Sequence, residues 1–318
     1  MSTPRRLPAD LLTLPALWLL LAVGATFAAL TPKFLMADNL LGVLVQSAAV
    51  GIVATGMTFA LLTAGIDLAA GSVMFLGAAC CGWLVNHGAP WWAGAAALLL
   101  VGPLAGLVHG ALVGRGRLAP FVVTLAGLFV LRGLGLWVSR TRALPLPDEF
   151  RTLAAGTVLG VPAPVLVLVG VLVAGQWVLS RTPFGRRVYA VGHDPVAARK
   201  AGIDVPGVLL RVYVFSGACA ALGGLVGLAQ LGAVSPTFGR EREFDAVAAA
   251  VLGGASLFGG RGGVLPGVLL GAVTIQAVYN GLALLNADPY AYPVLTGAVV
   301  LLAVLLDAAR TRLRGGRP

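Results

Sequence analysis

Charged residues are scarce in this chain of 318 residues. Only 11% of them are Asp, Glu, Lys or Arg, against 58% that are hydrophobic, whereas a soluble domain carries roughly 25% charged residues. So few charges cannot cover the surface of a water-soluble fold of this length. The composition therefore predicts that the lipid bilayer is the solvent for most of the chain.

Cysteine and histidine are also rare, and their spacing does not suggest a site. The three cysteines, Cys80, Cys81 and Cys219, lie in apolar runs, and an odd count without metal-ligand spacing indicates neither a disulfide framework nor a zinc site. The three histidines are isolated, with no His-Glu-x-x-His pattern and no clustered acids for acid–base work. We therefore predict no metal, no cofactor and no enzymatic activity in this chain.

Two signals for nucleotide or nucleic-acid binding are also missing. The chain has 44 glycines but no G-x-x-x-x-G-K-[ST] phosphate loop, which excludes ATP binding through that motif. Its net charge of +10 would suggest a nucleic-acid partner in a soluble protein. Here the basic residues flank apolar runs without interleaved aromatic residues, so no nucleic acid is predicted and the charge is interpreted as a topology signal.

Long apolar segments are what the chain has instead, and a helix needs about 20 such residues to cross a bilayer. The first segment follows two arginines, and we interpret it as an uncleaved span because it is long and lacks a clean cleavage site. The ten segments are 11–30, 40–63, 70–87, 91–113, 119–138, 161–180, 207–232, 244–258, 263–285 and 290–308. The sequence predicts an all-α polytopic membrane protein, a single domain over residues 1–318 with about ten transmembrane helices, some of them broken by glycine-rich segments.

The distribution of Lys and Arg predicts the orientation. With the N-terminus inside, 15 basic residues fall on the cytoplasmic side and 6 on the opposite side, as the positive-inside rule requires. An even number of spans places both termini in the cytoplasm of a bacterial inner-membrane protein. The polar loop 181–206 then lies inside, and the loop 139–160 lies outside, over the mouth of a pathway.

A glycine-rich break containing an acid separates the second and third segments. Asp67 lies between Gly65 and Gly71, and a carboxylate at membrane depth must face protein, water or solute. The broken helix frees backbone groups that need partners or a wet cavity. Gly65, Asp67 and Ser72 are therefore candidates for lining a solute pathway, but Asp67 also fits a structural cap on the next helix. The residues alone leave both interpretations open.

A second break resembles the first. The run 257–272 is similar to the run 62–78, and both place a charge in a glycine-rich break between apolar helices. We interpret them as duplicated elements that line one pathway. In the run 243–263, Asp245 is expected to cap the eighth span, and residues 259–263 are expected to form a flexible break around Arg261.

Polar side chains inside the apolar segments form a loose set. They suit hydrogen bonding to a hydroxylated solute, but they also suit contacts between helices, worth about 0.6 kcal/mol on average. The set comprises Gln46, Ser47, Thr55, Thr58, Asn86, Gln230, Gln276 and Asn280; Gln46, Thr58, Gln276 and Asn280 are taken as candidates for the pathway. Arg132, in the fifth segment, either snorkels outward or faces the pathway.

The loop 181–206 contains a predicted short helix. Gly192 is expected to mark a turn, and Asp194 with the proline after it fits an N-cap followed by proline at the first helical position. Residues 196–201 then form a helix that Gly202 closes. One apolar and one basic side would let this helix dock into a partner's groove or rest on anionic lipid.

These motifs resemble, in order, those of the permease subunits of ATP-binding-cassette sugar importers. That group includes ribose, xylose, arabinose and galactofuranose permeases. Its pattern G-I-D-L-S-x-G-S-x-x-x-L-G-A appears from Gly65 to Ala78, with Ala69 where the family usually has serine. Its pattern T-x-F-G-x-x-x-Y-A-x-G-x-x-x-x-A-A-x-x-x-G-I appears from Thr182 to Ile203. Its pattern D-A-I-A-A-V-V-[IL]-G-G-x-S-L-x-G-G-x-G appears from Asp245 to Gly262. The segment 120–133 is most similar to a galactofuranose permease subunit. Branched-chain amino-acid and nucleoside permeases share the fold, but their first motif lacks Gly-Ile-Asp-Leu.

The resemblance implies a function and partners. The chain is expected to form the pathway for a small sugar, such as a galactofuranose-like monosaccharide, driven by ATP hydrolysis on a separate cytoplasmic ATPase. A periplasmic sugar-binding protein would deliver the sugar, and a second permease chain, identical or different, would complete the pathway. Segment 181–206 would contact the ATPase through Gly185, Tyr189, Gly192, Asp194, Ala198, Arg199 and Gly202. The alternative is an ion-coupled secondary transporter of small polar solutes, with Asp67 as its only midplane acid.

Overall fold

Apolar helices dominate the structure, a computed structural model that describes residues 15–288, 290–295, 297–298, 301–302 and 305. A 3-10 turn, Pro32–Leu35, precedes the second helix. The helices in chain order are α1 (Pro15–Leu30), α2 (Ala37–Leu62), α3 (Ala70–Asn86), α4 (Trp91–Gly114), α5 (Pro120–Ser139), α6 (Asp148–Ala155), α7 (Ala163–Arg181), α8 (Pro183–His193), α9 (Pro195–Lys200), α10 (Val205–Leu231), α11 (Arg242–Leu252) and α12 (Gly267–Leu284).

Six helices in the described part of the chain are long and apolar enough to cross a membrane, namely α2, α4, α5, α7, α10 and α12. The apolar helices α1 and α3 are slightly shorter, with 16 and 17 residues. The predicted all-α polytopic membrane fold is therefore confirmed.

The predicted span 244–258 is wrong as a single crossing. Helix α11 ends at Leu252 after 11 residues, which is a length of about 16 Å and only half of a ~30 Å hydrocarbon core. The helix stops at a pair of glycines, and Gly254 has a positive φ of 97° that a helix cannot continue. The predicted span 290–308 lies only partly within the described residues, and the basic residues at 5–6 and 310–317 that the topology prediction used lie outside them.

Two short strand pairs hold the loop 139–160 in place. Antiparallel pairs join β1 (Leu144–Pro145) to β4 (Ala233–Val234) and β2 (Thr157–Val158) to β3 (Val161–Pro162). Between them, α6 buries Phe150 completely, with its ring edge-on to Trp91 at 6.1 Å. The loop is thus packed onto the ends of α4 and α10.

Helices α2 and α10 lie at the centre of the fold, since most of their apolar length is buried, whereas α5 is mostly exposed. Helices α4 and α10 approach each other through glycines: a Cβ on Gly102 would collide with the backbone of Gly217. Small residues allow this close approach of helices in lipid. The outer helices expose large apolar side chains such as Trp137, at 78%, which suit a lipid environment.

Candidate functional site

The three sequence motifs meet at one end of α2. The carbonyl of Leu62, the last residue of α2, accepts a hydrogen bond from the amide of Gly260 at 2.9 Å. Gly192 of α8 packs so closely on the same carbonyl that a Cβ would collide with it, and Gly259 packs against the Gly192 carbonyl and Ala64. These five residues form one backbone contact between the first break, α8 and the second break, which we call the α2–α8 junction.

A tyrosine reinforces this junction from α8. The hydroxyl of Tyr189 donates a hydrogen bond to the carbonyl of Gly262 at 2.7 Å. Gly259, Gly260 and Gly262 all have positive φ, a conformation that glycine adopts without a steric penalty. The second break is therefore a series of tight turns held against α8, with the exposed Arg261 between them.

Glycines inside α8 serve packing. The prediction that Gly192 marks a turn is wrong, because this residue lies within α8; its missing side chain allows the contact with Leu62. At the start of α8, a Cβ on Gly185 would collide with the carbonyl of Leu179. The hydroxyl of Thr182 accepts the Gly185 amide at 3.1 Å and so caps the N-terminus of α8.

The predicted short capped helix is confirmed in α9. The Asp194 carboxylate accepts hydrogen bonds from the amides of Val196 and Ala197 at 2.8 and 2.9 Å, and Gly202 follows the helix with a φ of 79°. The amides of Ala197 and Val196 hold the pKa of the Asp194 carboxyl below its ordinary value, because both hydrogen bonds favour the charged form.

Helix α9 presents a mixed surface. Val196 is 59% exposed, and Arg199 and Lys200 are exposed beside it. Ala198 is buried against the rest of the chain and anchors the helix. Apolar and basic side chains of α9 are thus both exposed; their separation onto an apolar and a basic side stays a prediction.

Asp67, in the first break, is buried, with 1% of its surface exposed. One carboxylate oxygen accepts the amide of Ala69 at 3.1 Å, immediately before α3, and the other accepts the hydroxyl of Ser216 in α10 at 2.7 Å. The bond to Ala69 resembles the structural cap that we considered, although it lies one residue ahead of the helix. A role for Asp67 in the pathway stays a prediction.

Gly65, Ser72 and Thr58 lie in closely packed surroundings as well. A Cβ on Gly65 would lie 2.7 Å from the hydroxyl of Tyr213. Ser72 donates a hydrogen bond to the Leu128 carbonyl in α5 at 2.8 Å, and Thr58 donates to a carbonyl one turn earlier in α2. Contact between these three residues and a solute also stays a prediction.

A buried acid and an arginine flank the first break on its other side. Arg132 points inward: its Nη1 donates to the Phe238 carbonyl at 2.7 Å, and the guanidinium lies 4.8 Å from the ring centre of Phe75. Glu243 is 4% exposed and packs on Gly71, where a Cβ would collide with its carboxylate. Within the described residues, one oxygen of Glu243 has no hydrogen-bond partner. Glu243 was not among the residues predicted for the pathway, and its only signal in the sequence is an acid two residues before Asp245.

A polar cavity of about 550 Å³ opens at the far end of α2. Gln46 lies 16 residues before Leu62, which places the cavity about 24 Å from the α2–α8 junction at 1.5 Å per residue. The cavity is lined by Gln46, Arg240, Glu241, Arg242, Asp245, Gln276, Tyr279, Asn280, Ala283, Tyr292 and Pro293. The structure thus brings together three of the predicted pathway residues, Gln46, Gln276 and Asn280, and places the others elsewhere.

Hydrogen bonds between helices hold the cavity wall. Gln276 of α12 donates its side-chain amide to the carbonyl of Gln46 in α2 at 2.7 Å. Asp245 accepts the hydroxyl of Tyr279 at 2.6 Å and Nη1 of Arg242 at 3.0 Å. The prediction that Asp245 caps its helix is therefore wrong, because its carboxylate binds these two side chains instead.

The rim of the cavity combines a carboxamide pair with balanced charges. Asn280 and Asn39 donate their amide groups to each other's carbonyl oxygens, both at 2.9 Å. Two arginines, at 240 and 242, and two acids, at 241 and 245, line the cavity. Their formal charges cancel.

Comparisons with known proteins identify the family. The family model described as branched-chain amino acid transport system / permease component matches residues 39–304. The ribose import permease protein RbsC of Escherichia coli (strain K12) is 37% identical over 300 residues, 93% of this chain and 92% of the relative. The fructose import permease protein FrcC of Rhizobium meliloti is 36% identical over 308 residues, 92% of this chain and 84% of the relative. The D-allose transport system permease protein AlsC of Escherichia coli (strain K12) is 34% identical over 293 residues, 91% and 90% of the two chains. No solved structure matches the chain.

These relatives are named as permeases for sugars, which supports the sugar-permease prediction and gives no support to the ion-coupled alternative. The likeness of the segment 120–133 to a galactofuranose permease subunit stays a prediction. Because the family match covers most of the chain and the structure has the apolar helices that such a protein requires, the chain belongs to the family of transport-system permease components and is a multi-pass membrane protein.

Proposed function

We propose that the chain forms the translocation pathway of an ATP-driven importer for a small monosaccharide. The ribose, fructose and D-allose permeases that match it over most of its length support this class of solute. The chain has no phosphate loop, so ATP hydrolysis is assigned to a separate cytoplasmic ATPase subunit. A periplasmic sugar-binding protein and a second permease chain, identical or different, complete the assembly in the inner membrane.

The observation that carries this proposal is the α2–α8 junction. Gly192 and Gly260 both contact the carbonyl of Leu62 through backbone atoms. A displacement of α8 by a partner therefore passes to the end of α2 without intervening side chains that could absorb it. Since packed interfaces switch between discrete arrangements, the junction is suited to convert a movement of α8 into a movement of α2.

The exposed side of α9 is the proposed contact with the ATPase. Its apolar Val196 and basic Arg199 fit the way in which a short amphipathic helix docks into a groove. In this proposal, Gly185 and Gly192 provide close packing, Tyr189 ties α8 to the second break, Asp194 and Gly202 begin and end α9, Ala198 anchors it, and Arg199 contacts the partner. Segment 181–206 and both termini then face the cytoplasm.

The proposal is tested by isolating the chain with its partner ATPase and its binding protein in lipid nanodiscs. The chain alone should hydrolyse no ATP, should co-purify with the ATPase, and should make ATP hydrolysis respond to the sugar-loaded binding protein. ATP hydrolysis that is the same with and without the chain would contradict the proposal.

A further inference from the structure

We propose that the polar cavity between α2, α11 and α12 is where the imported monosaccharide contacts this chain. Asp245 and the side-chain carboxamides of Gln46 and Gln276 are its hydrogen-bonding groups, while Tyr279 and Tyr292 form an aromatic wall. This inference rests on the proposed function and names the site at which that function is carried out.

The size and chemistry of the cavity fit a small polyhydroxylated solute. Its volume of about 550 Å³ lies within the range of about 300–1,000 Å³ that small-molecule sites occupy. Sugar hydroxyls both donate and accept hydrogen bonds, and the wall offers a carboxylate acceptor beside carboxamides that do both. The rings of Tyr279 and Tyr292 lie 5.9 Å apart and provide an apolar surface for the C–H face of a sugar ring.

The carboxamides retain hydrogen-bonding capacity. The bond between them uses the carbonyl oxygen of Gln46 and the amide of Gln276. Among the described residues, the amide of Gln46 and the carbonyl oxygen of Gln276 have no other hydrogen bond, and Gln46 is exposed. A solute hydroxyl that bridges these two groups would form hydrogen bonds without breaking the existing one.

The charges that line the cavity select an uncharged solute. Asp245 is paired with Arg242 at 3.0 Å, and the charges of Arg240 and Glu241 cancel at the same wall. A sugar phosphate would bring a negative charge that no unbalanced cation meets, and the loss of its hydration would be uncompensated. A neutral monosaccharide requires no such compensation.

Helix α2 connects the cavity to the α2–α8 junction, through which the ATPase is proposed to act. Gln46 and Leu62 lie on the same unbroken helix, about 24 Å apart at 1.5 Å per residue. A shift of α2 at the α2–α8 junction therefore moves one wall of the cavity relative to α11 and α12. Solute contact and release would follow from the same movement.

The test measures sugar imported per ATP hydrolysed in proteoliposomes that hold the chain, its ATPase and its binding protein. Radiolabelled D-ribose, D-fructose and D-allose are supplied, and the sugar that the wild type imports fastest is used for the variants. For Asp245→Asn, Gln46→Ala and Gln276→Ala, we expect the ratio to fall at least tenfold, while ATP hydrolysis stimulated by the loaded binding protein stays within twofold. Gln46→Ala changes an exposed residue, so it keeps the test valid if Asp245→Asn does not fold.

Thr274→Ser is the matched control, since Thr274 lies on α12 near Gln276 but is buried and donates to a carbonyl of its own helix. It should keep the wild-type ratio. Wild-type ratios in all three cavity variants would overturn the cavity proposal and leave the proposed function standing. Equal loss of import and stimulated ATP hydrolysis in these variants would also overturn it, because that pattern indicates a structural role. If the wild type imported no sugar and left ATP hydrolysis unstimulated, the proposed function itself would fail.

Discussion

The carboxylate of Asp67 accepts the hydroxyl of Ser216 at 2.7 Å and so fastens the break between α2 and α3 to the middle of α10. Both side chains are almost completely buried. In a low-dielectric interior, a carboxylate that loses a hydrogen bond is strongly destabilised. The bond therefore fixes the position of the first break relative to the centre of the fold.

Ser216→Ala should lower the free energy of unfolding by about 1–3 kcal/mol, because one oxygen of the buried Asp67 carboxylate loses its partner. Ser47→Ala is the control, since Ser47 is equally buried but donates only to a carbonyl of its own helix. Its effect should be small. Unfolding midpoints in detergent micelles measure both, and equal destabilisation by the two substitutions would contradict the role assigned to Ser216.

Gly192→Ala should reduce sugar uptake, because it disturbs the α2–α8 junction. The added methyl group would collide with the Leu62 carbonyl, and relief of such overpacking costs about 1–3 kcal/mol. We expect normal insertion into the membrane but sugar uptake reduced at least roughly tenfold, with weaker co-purification of the ATPase. Gly170→Ala in α7, where nothing lies within 4 Å of the new Cβ, should keep wild-type uptake. Uptake unchanged in the Gly192 variant would refute the role of the junction.

The cap on α9 should depend on pH. Its carboxylate, on Asp194, has a folded-state pKa below the ordinary value of 3.8, so the cap is fully formed above pH 3.8 and is lost as the pH falls through the lower folded-state pKa. Asp194→Ala should raise amide hydrogen exchange in α9 at any pH above the folded-state pKa, where the wild type keeps its cap. Asp194→Asn should keep the cap without the pH dependence.

Amide exchange at Val196 and Ala197, read by mass spectrometry, measures this cap directly. Protection that is the same in Asp194→Ala and the wild type at neutral pH would show that the two hydrogen bonds contribute nothing to α9.

Arg132→Leu should loosen the loop before α11. It removes a charged hydrogen bond to the Phe238 carbonyl, and such bonds contribute about 1.5–3 kcal/mol. We expect a lower unfolding midpoint and faster trypsin cleavage after Arg240. Arg140→Leu, at the exposed end of the same helix, is the control and should leave both unchanged. Equal cleavage in the two variants would contradict the inward role of Arg132.

Local features of the sequence predicted much of the fold. Apolar runs of about 20 residues gave most of the long helices, and the Asp194-Pro195 pair located α9 because capping involves only neighbouring residues. The short α11 could not be predicted in this way, since its apolar run continues past Leu252. The helix ends where Gly254 takes a positive φ of 97°, and Gly253 there packs against the backbone of Gly267, a contact between residues distant in sequence.

The candidate site depended even more on contacts distant in sequence. The sequence predicted a loose set of polar residues that includes Gln46, Gln276 and Asn280. These residues line one cavity with Asp245 only because α2 packs against α11 and α12. Of the two partners of Asp245, Arg242 lies on the same helix, but Tyr279 is brought from α12 by this packing, and neighbouring residues alone predicted a cap instead. That residues 1–318 form a single domain stays a prediction.

ATP-dependent uptake into proteoliposomes tests the central claim most directly. Vesicles that contain the chain, its ATPase and its sugar-binding protein should accumulate radiolabelled monosaccharide when ATP is supplied. They should not do so with a non-hydrolysable ATP analogue, and a protonophore should have no effect. Uptake that proceeds without the ATPase and collapses with the protonophore would contradict the account.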